Sequence, residues 1–141
     1  MNADQQDKPA LDLEQRIDAI ESGYEFLLAY AAQGRETDQG AGQGRNVREF
    51  LEKMEQALDG LATAVKRHAA NYDAALIADS AAFFNAVDSD AHTAQAAVHL
   101  VLARPDISSQ LVDNLNASIH IRAVLTDLFI IDEAFKGKHS A

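Results

Sequence analysis

The sequence predicts an all-α protein, a bundle of four long amphipathic helices in up-down-up-down order. Along four segments, apolar residues recur at alternating spacings of three and four, the period of one helix face. Hydrophobic residues make up 48% of the 141 residues and aromatic ones only 6%, a balance that favours close helix packing. This length fits one domain. We assign residues 10–137 to the domain, 1–9 to a flexible N-terminal tail and 138–141 to a C-terminal tail.

The first two helices are predicted from their apolar spacing. The apolar row of the first runs from Leu13 to Ala31, and Gly34 is a natural stop for this helix. The second carries a coiled-coil-like row and is expected to end near Asn71; the row is Leu51, Met54, Leu58, Leu61, Val65, His68 and Tyr72. The joint between them, residues 35–45, is rich in glycine and polar residues, which predicts a mobile loop.

The last two helices meet at a proline. Asp73 is a suitable N-cap for the third, whose apolar row continues from Ile77 to Val101 without Gly or Pro and predicts one unbroken helix. Pro105 disfavours helical geometry at the residue before it. Asp106 or Ser108 can cap the fourth helix, which is expected to reach Lys136 and to end at Gly137.

Composition excludes several classes of protein. The chain has no cysteine, which rules out disulfides, thiolate metal sites and a cysteine nucleophile. Its formal charge of -10 disfavours binding to nucleic acid and to anionic membranes. No segment resembles a signal peptide or a membrane span, so the expected location is cytoplasmic.

The fourth helix has more apolar surface than one core face requires. Besides its main face, a second stripe collects Val112, Ile119, Ala123 and Ile130. Exposed apolar stripes usually mark contacts between proteins, so we expect a second copy or another protein to cover this one. The alternative is that both faces of this helix lie inside its own bundle.

Histidines and acidic residues are candidate metal ligands. No histidine follows a glutamate at a spacing of three, so a ferritin-like di-iron site is excluded. A looser set remains where the third and fourth helices turn at Pro105, with imidazoles and carboxylates at similar heights: Asp88, His92, His99, Asp113 and His120. The competing interpretation is that these are solvated residues at the helix edges.

A second ligand hypothesis concerns anions. The glycine-rich loop shares one end of the predicted bundle with four arginines and two helix N-termini, which attract negative charge; the arginines are Arg35, Arg45, Arg48 and Arg104. Acidic residues Glu36, Asp38 and Asp106 lie at the same end and oppose this hypothesis. The loop also lacks the strand of a dinucleotide motif and the Lys of a P-loop, so a linker is the favoured interpretation.

No catalytic motif is present, and no cofactor is expected. The sequence therefore favours a non-catalytic interaction or accessory protein that self-associates or docks on a larger complex. The alternative is a bundle that binds a divalent metal or a small anion, as a sensor or an enzyme. Among the acids, Asp132 approaches the main apolar face by helical angle, where burial would raise its pKa.

Overall fold

The computed structural model describes residues 12–40 and 44–139, without the side chains of 44–46 and 136–139. The described residues are all-helical: seven helices account for 80% of them, and they form no strand. In chain order they are α1 (Leu13–Ala31), α2 (Gly44–Leu58), α3 (Leu61–Ala70), α4 (Ala74–Asp79), α5 (Ala81–Leu102), α6 (Ser109–Ala117) and α7 (His120–His139).

The first predicted helix is present as α1, while each of the other three is divided in two. Gly60 separates α2 from α3 with a left-handed φ of 74°, and the Arg16 guanidinium donates to the carbonyls of Ala57 and Asp59 at this break. The conformational freedom of glycine and the capped carbonyls together end α2 there. The prediction of one continuous second helix is thus wrong at Gly60.

The other two breaks have no Gly or Pro at them. Ser80 divides the predicted third helix into α4 and α5, and its backbone φ of -108° and ψ of 26° lies outside helical geometry. Ile119 divides the fourth into α6 and α7 at a φ of 64°. At its C-terminal end α7 passes through Gly137 to His139, so Gly137 does not end the helix as predicted.

The predicted caps are confirmed. The Asp73 carboxylate accepts a hydrogen bond from the Leu76 N–H at 3.1 Å, and the Ser108 hydroxyl accepts one from the Leu111 N–H at 3.0 Å. Of the two residues considered for the second cap, Ser108 performs it, because the Asp106 carboxylate instead accepts from the Thr37 hydroxyl at 2.5 Å. These bonds satisfy N–H groups that the first turn of a helix leaves without partners.

One core runs through all the longer helices. α1 packs on α2, α6 and α7, while α5 packs on α2, α3 and α7. Nearly all predicted core positions of α2 and α5 are buried, and the largest fully buried side chains include Tyr30, Phe84, Leu51, Met54 and Ile121. His68 departs from the prediction and is exposed.

The described part of the loop after α1 is docked on the protein. Arg35 and Ser109 exchange two hydrogen bonds of 2.8 Å, from the Arg35 N–H to the Ser109 hydroxyl and from the Ser109 N–H to the Arg35 carbonyl. The Gln39 amide donates to the Pro105 carbonyl at 3.0 Å. Residues 35–40 therefore form a docked segment and not the free linker expected from their composition, whereas residues 41–43 lie outside the described residues.

An ion pair between a buried carboxylate and a partly exposed guanidinium holds this segment in place. The Asp38 carboxylate, 4% exposed, accepts from the Arg48 side chain at 2.6 Å and from the Ile107 N–H at 2.8 Å. The same guanidinium donates to the carbonyls of Leu102, Arg104 and Pro105. Burial opposes ionisation of Asp38, but the bonds from Arg48 and Ile107 outweigh it and lower its pKa.

Candidate functional site

A groove lies between the first half of α1, the end of α3 and the second half of α7. It encloses about 810 Å³, within the range of binding pockets. We call it the acidic groove, and its lining residues are Asp12, Leu13, Glu14, Gln15, Ile17, Asp18, Glu21, His68, Tyr72, Leu128, Ile131, Asp132 and Phe135.

The floor of the acidic groove is apolar. Leu128, Ile131 and Phe135 of α7 are buried beneath it, whereas Leu13 and Ile17 of α1 are half-buried and keep part of their surface on the groove. Leu13 and Ile17 are four residues apart and so lie one above the other on the same helix face. The groove therefore offers an apolar strip along the axis of α1.

Beside this strip, on the same helix, carboxylates line the rim of the groove. Glu14, Asp18 and Glu21 follow one another at spacings of four and three, which aligns them along one edge of α1. From the first to the last lining residue, Asp12 to Glu21, α1 extends about 14 Å at the usual rise of a helix. The charges thus form a row along the groove.

Besides Gln15, four further residues complete the groove. Asp12 is the N-cap of α1, where its carboxylate accepts from the Gln15 N–H at 2.7 Å. His68 and Tyr72 lie at the end of α3 with ring centroids 5.1 Å apart. A carboxylate on α7, Asp132, is exposed at the opposite rim.

The acidic groove is strongly negative. Five of its lining residues are Asp or Glu, none is Lys or Arg, and in the described part of the chain no cation pairs with Glu14, Asp18 or Glu21. Adjacent like charges raise the local potential and attract cations from solution. Chemically, the site can hold an apolar group on its floor and positive charges on its rim.

The predicted stripe on the fourth helix does not form one surface. Val112 is fully buried, so it belongs to the core and is unavailable to a partner. Ile119 and Ile130 are 53% and 49% exposed, and Ala123 is half-buried. The break at Ile119 explains the difference, because helical angles counted across it do not apply.

Ile119 carries backbone strain that a substitution should relieve. A β-branched residue rarely adopts positive φ, because its Cβ crowds the neighbouring carbonyl. Replacing Ile119 with Gly is expected to raise the free energy of unfolding by about 1 kcal/mol. Urea denaturation of the two proteins measures this, with Ile130→Gly, at a half-exposed position inside α7, as a control that should lose about 1 kcal/mol.

The predicted anion site is occupied by the protein itself. Arg48 binds Asp38 and three carbonyls, so none of its charge is directed at an external anion. The Arg35 side chain donates to the Thr37 carbonyl and lies 6.0 Å from the centre of the Tyr30 ring. Arg104 is exposed, and the Arg45 side chain lies outside the described residues. Of the three arginine side chains that the structure describes, Arg35 and Arg48 thus bind groups of the protein itself.

The predicted metal ligands are also dispersed. His92 contacts Asp88 on its own helix, with its Nδ1 2.8 Å from the Asp88 carbonyl and 3.4 Å from the carboxylate. His99 turns to α2, where its Nδ1 lies 2.8 Å from a Glu55 carboxylate oxygen. Asp113 and His120 join neither, and the described residues contain no group of three or more His, Asp or Glu arranged to hold a metal.

The sequence analysis singled out Asp132 for possible burial, but the buried acid on α7 is Asp127. Asp132 is exposed, but Asp127 of α7 is only 9% exposed, and one of its carboxylate oxygens has no hydrogen-bond partner among the described residues. Burial, and then the hydrogen bond and charge of Asp90 on α5, raise the pKa of Asp127 to about 7. No sequence signal separated these two aspartates, since both flank the apolar face of α7.

Comparison of the chain with models of known protein families, with curated proteins and with solved structures finds no match. Within the described residues, no helix combines the length and the apolar character needed to cross a membrane.

Proposed function

We propose that this protein is a non-catalytic interaction module that takes up a segment of another protein in the acidic groove. The observation that carries the proposal is the groove itself, which combines an apolar floor with a continuous carboxylate rim. Concave apolar surfaces with a polar rim are the usual form of peptide-binding sites. The cytoplasmic location expected from the sequence remains part of this proposal.

We propose further that the seven helices form four groups in up-down-up-down order, namely α1, α2 with α3, α4 with α5, and α6 with α7. The packing supports this order, since each group contacts the next and the last contacts the first. In such a bundle the groove lies between the first and the last group, where the end of α3 also lines it. The partner segment then packs beside these helices.

Other candidate functions have less support. Binding of a metal or a small anion has less support, since His92 and His99 contact different carboxylates and Arg48 binds groups of the protein itself. Self-association through the stripe predicted on the fourth helix has only Ile119 and Ile130 as clearly exposed residues. Sedimentation showing a monomer at all concentrations would remove self-association and leave the groove unaffected.

The proposed function is tested with a displayed library of random peptides selected on the full chain. Ile17→Trp serves for counter-selection, because a larger side chain on the floor fills part of the groove while preserving its charge. We expect peptides that bind the wild type and lose at least about tenfold in affinity for Ile17→Trp, as several apolar contacts are displaced.

Leu100→Trp is the matched control, at a position 65% exposed and outside the groove. It should bind the selected peptides as the wild type does. Recovery only of peptides that ignore Ile17→Trp would contradict the proposal.

A further inference from the structure

We propose that the segment taken up in the acidic groove is a basic amphipathic helix, with an apolar stripe for the floor and cationic residues for the rim. This inference rests on the proposed function and specifies the chemistry of the partner. It follows from the juxtaposition of the Leu13 and Ile17 strip with the row of Glu14, Asp18 and Glu21.

The length of the groove selects a short helix. The lining of α1 extends about 14 Å and that of α7, from Leu128 to Phe135, about 10 Å. Two to three helical turns cover this distance. An amphipathic helix of that size lays its apolar face into a groove through residues at spacings of three and four.

The spacing of the rim carboxylates defines the charges on the partner. Glu14, Asp18 and Glu21 repeat at four and three residues, so a helix lying alongside α1 presents matching charges at the same spacings. Each Lys or Arg there also rests its aliphatic stem on the apolar floor while its charge reaches the rim. A helix with apolar and basic residues in adjacent rows satisfies both parts of the groove.

Charge complementarity argues against neutral and acidic partners. The five carboxylates of the groove add to a chain whose formal charge is -10, and the lining contributes no Lys or Arg to offset them. An acidic segment would be repelled on approach, and a neutral one would leave the rim charges without counterparts. A basic segment gains in both association rate and affinity.

The test uses three peptides of about 14 residues, matched in length. The first is an amphipathic helix with Lys at spacings of four and three beside a Leu stripe. In the second each Lys is replaced by Gln, and in the third the same residues are scrambled so that the stripe is lost. Isothermal titration against the full chain should show binding of the first, and at least about tenfold weaker binding of the other two.

Variants of the protein test whether the carboxylates of the groove bind the peptide. The triple variant Glu14→Lys/Asp18→Lys/Glu21→Lys should weaken binding of the first peptide by about 50-fold, because three attractions become repulsions. The control Glu49→Lys/Glu52→Lys/Asp79→Lys changes the net charge equally at exposed positions outside the groove and should weaken it less than about fivefold. Thermal melting of each variant verifies that it is folded.

The failures of the two proposals are distinguishable. If the Lys and Gln peptides bind equally and Ile17→Trp abolishes both, the groove is a docking site but the partner is not basic, and only this inference is overturned. Equal binding of the scrambled peptide, equal loss in the two triple variants, or no binding of the first peptide also overturns it.

Discussion

Replacing Arg48 with Ala is expected to lower the free energy of unfolding by about 3 kcal/mol, the largest loss that we predict for a single substitution. The substitution leaves the Asp38 carboxylate buried without its counter-charge and removes the donor of three backbone carbonyls. A buried charge without a partner is costly, whichever member of the pair is lost. Urea denaturation followed by circular dichroism measures the change.

Arg104→Ala is the matched control for this experiment, since Arg104 lies at the same end of the protein and is exposed. Its loss should change the stability by less than about 0.5 kcal/mol. Equal effects of the two substitutions would show that the ion pair does not hold the docked segment. If phosphate stabilised the wild type and this effect required Arg48, the anion hypothesis from the sequence would return.

The second large effect is a loss of stability as the pH rises through 7. The folded-state pKa of Asp127 is about 7, well above that of an aspartate in the unfolded chain. Between these two values the folded protein holds a proton that the unfolded chain has released. The resulting stabilisation is complete below the unfolded pKa and declines with rising pH, by a total of about 4 kcal/mol for a difference of about 3 pKa units.

Asp127→Asn tests this account by replacing the carboxyl group with an amide that stays neutral. Between pH 5 and pH 8 the free energy of unfolding should fall much less in the variant than in the wild type. At pH 8 the variant should be more stable than the wild type by about 2 kcal/mol. Urea denaturation at a series of pH values measures both. Asp132→Asn, on the exposed side of the same helix, should follow the wild-type profile. A variant with an unchanged slope would contradict the account.

The helical character of the protein was predictable because it depends on local periodicity. The apolar spacing of α5, from Phe84 to Val101, marks the residues that are buried, and the caps Asp73 and Ser108 follow from side-chain chemistry within one turn. These features need no knowledge of the rest of the chain. Neighbouring residues alone determine them.

The breaks in the helices were harder to predict from the sequence. Gly60 was a signal that the continuous apolar row concealed, whereas Ser80 and Ile119 carry no helix-breaking character. A positive φ at Ile119 opposes the preference of a β-branched residue, so the residue type gave no indication of the break. For the same reason the predicted stripe does not form one surface, since Val112 lies in α6, Ile130 in α7 and Ile119 at the break between them.

The site was predictable only in part. An excess of acid in the first helix was visible in the sequence, and Glu14, Asp18 and Glu21 share a spacing that places them on one edge. The opposite wall comes from α7, more than a hundred residues later, and its position depends on the packing of the helices. The ion pair of Asp38 and Arg48 was likewise hidden, because a glycine-rich segment gave no sign of docking.

The most direct test of the central claim is a titration of the isotope-labelled full chain with the amphipathic Lys peptide, followed by two-dimensional NMR. We predict saturable shift changes concentrated in the first half of α1, the end of α3 and the second half of α7, with few at the Asp38 and Arg48 end. Changes spread evenly over acidic surfaces, or concentrated away from these three helices, would contradict a docking site in the acidic groove.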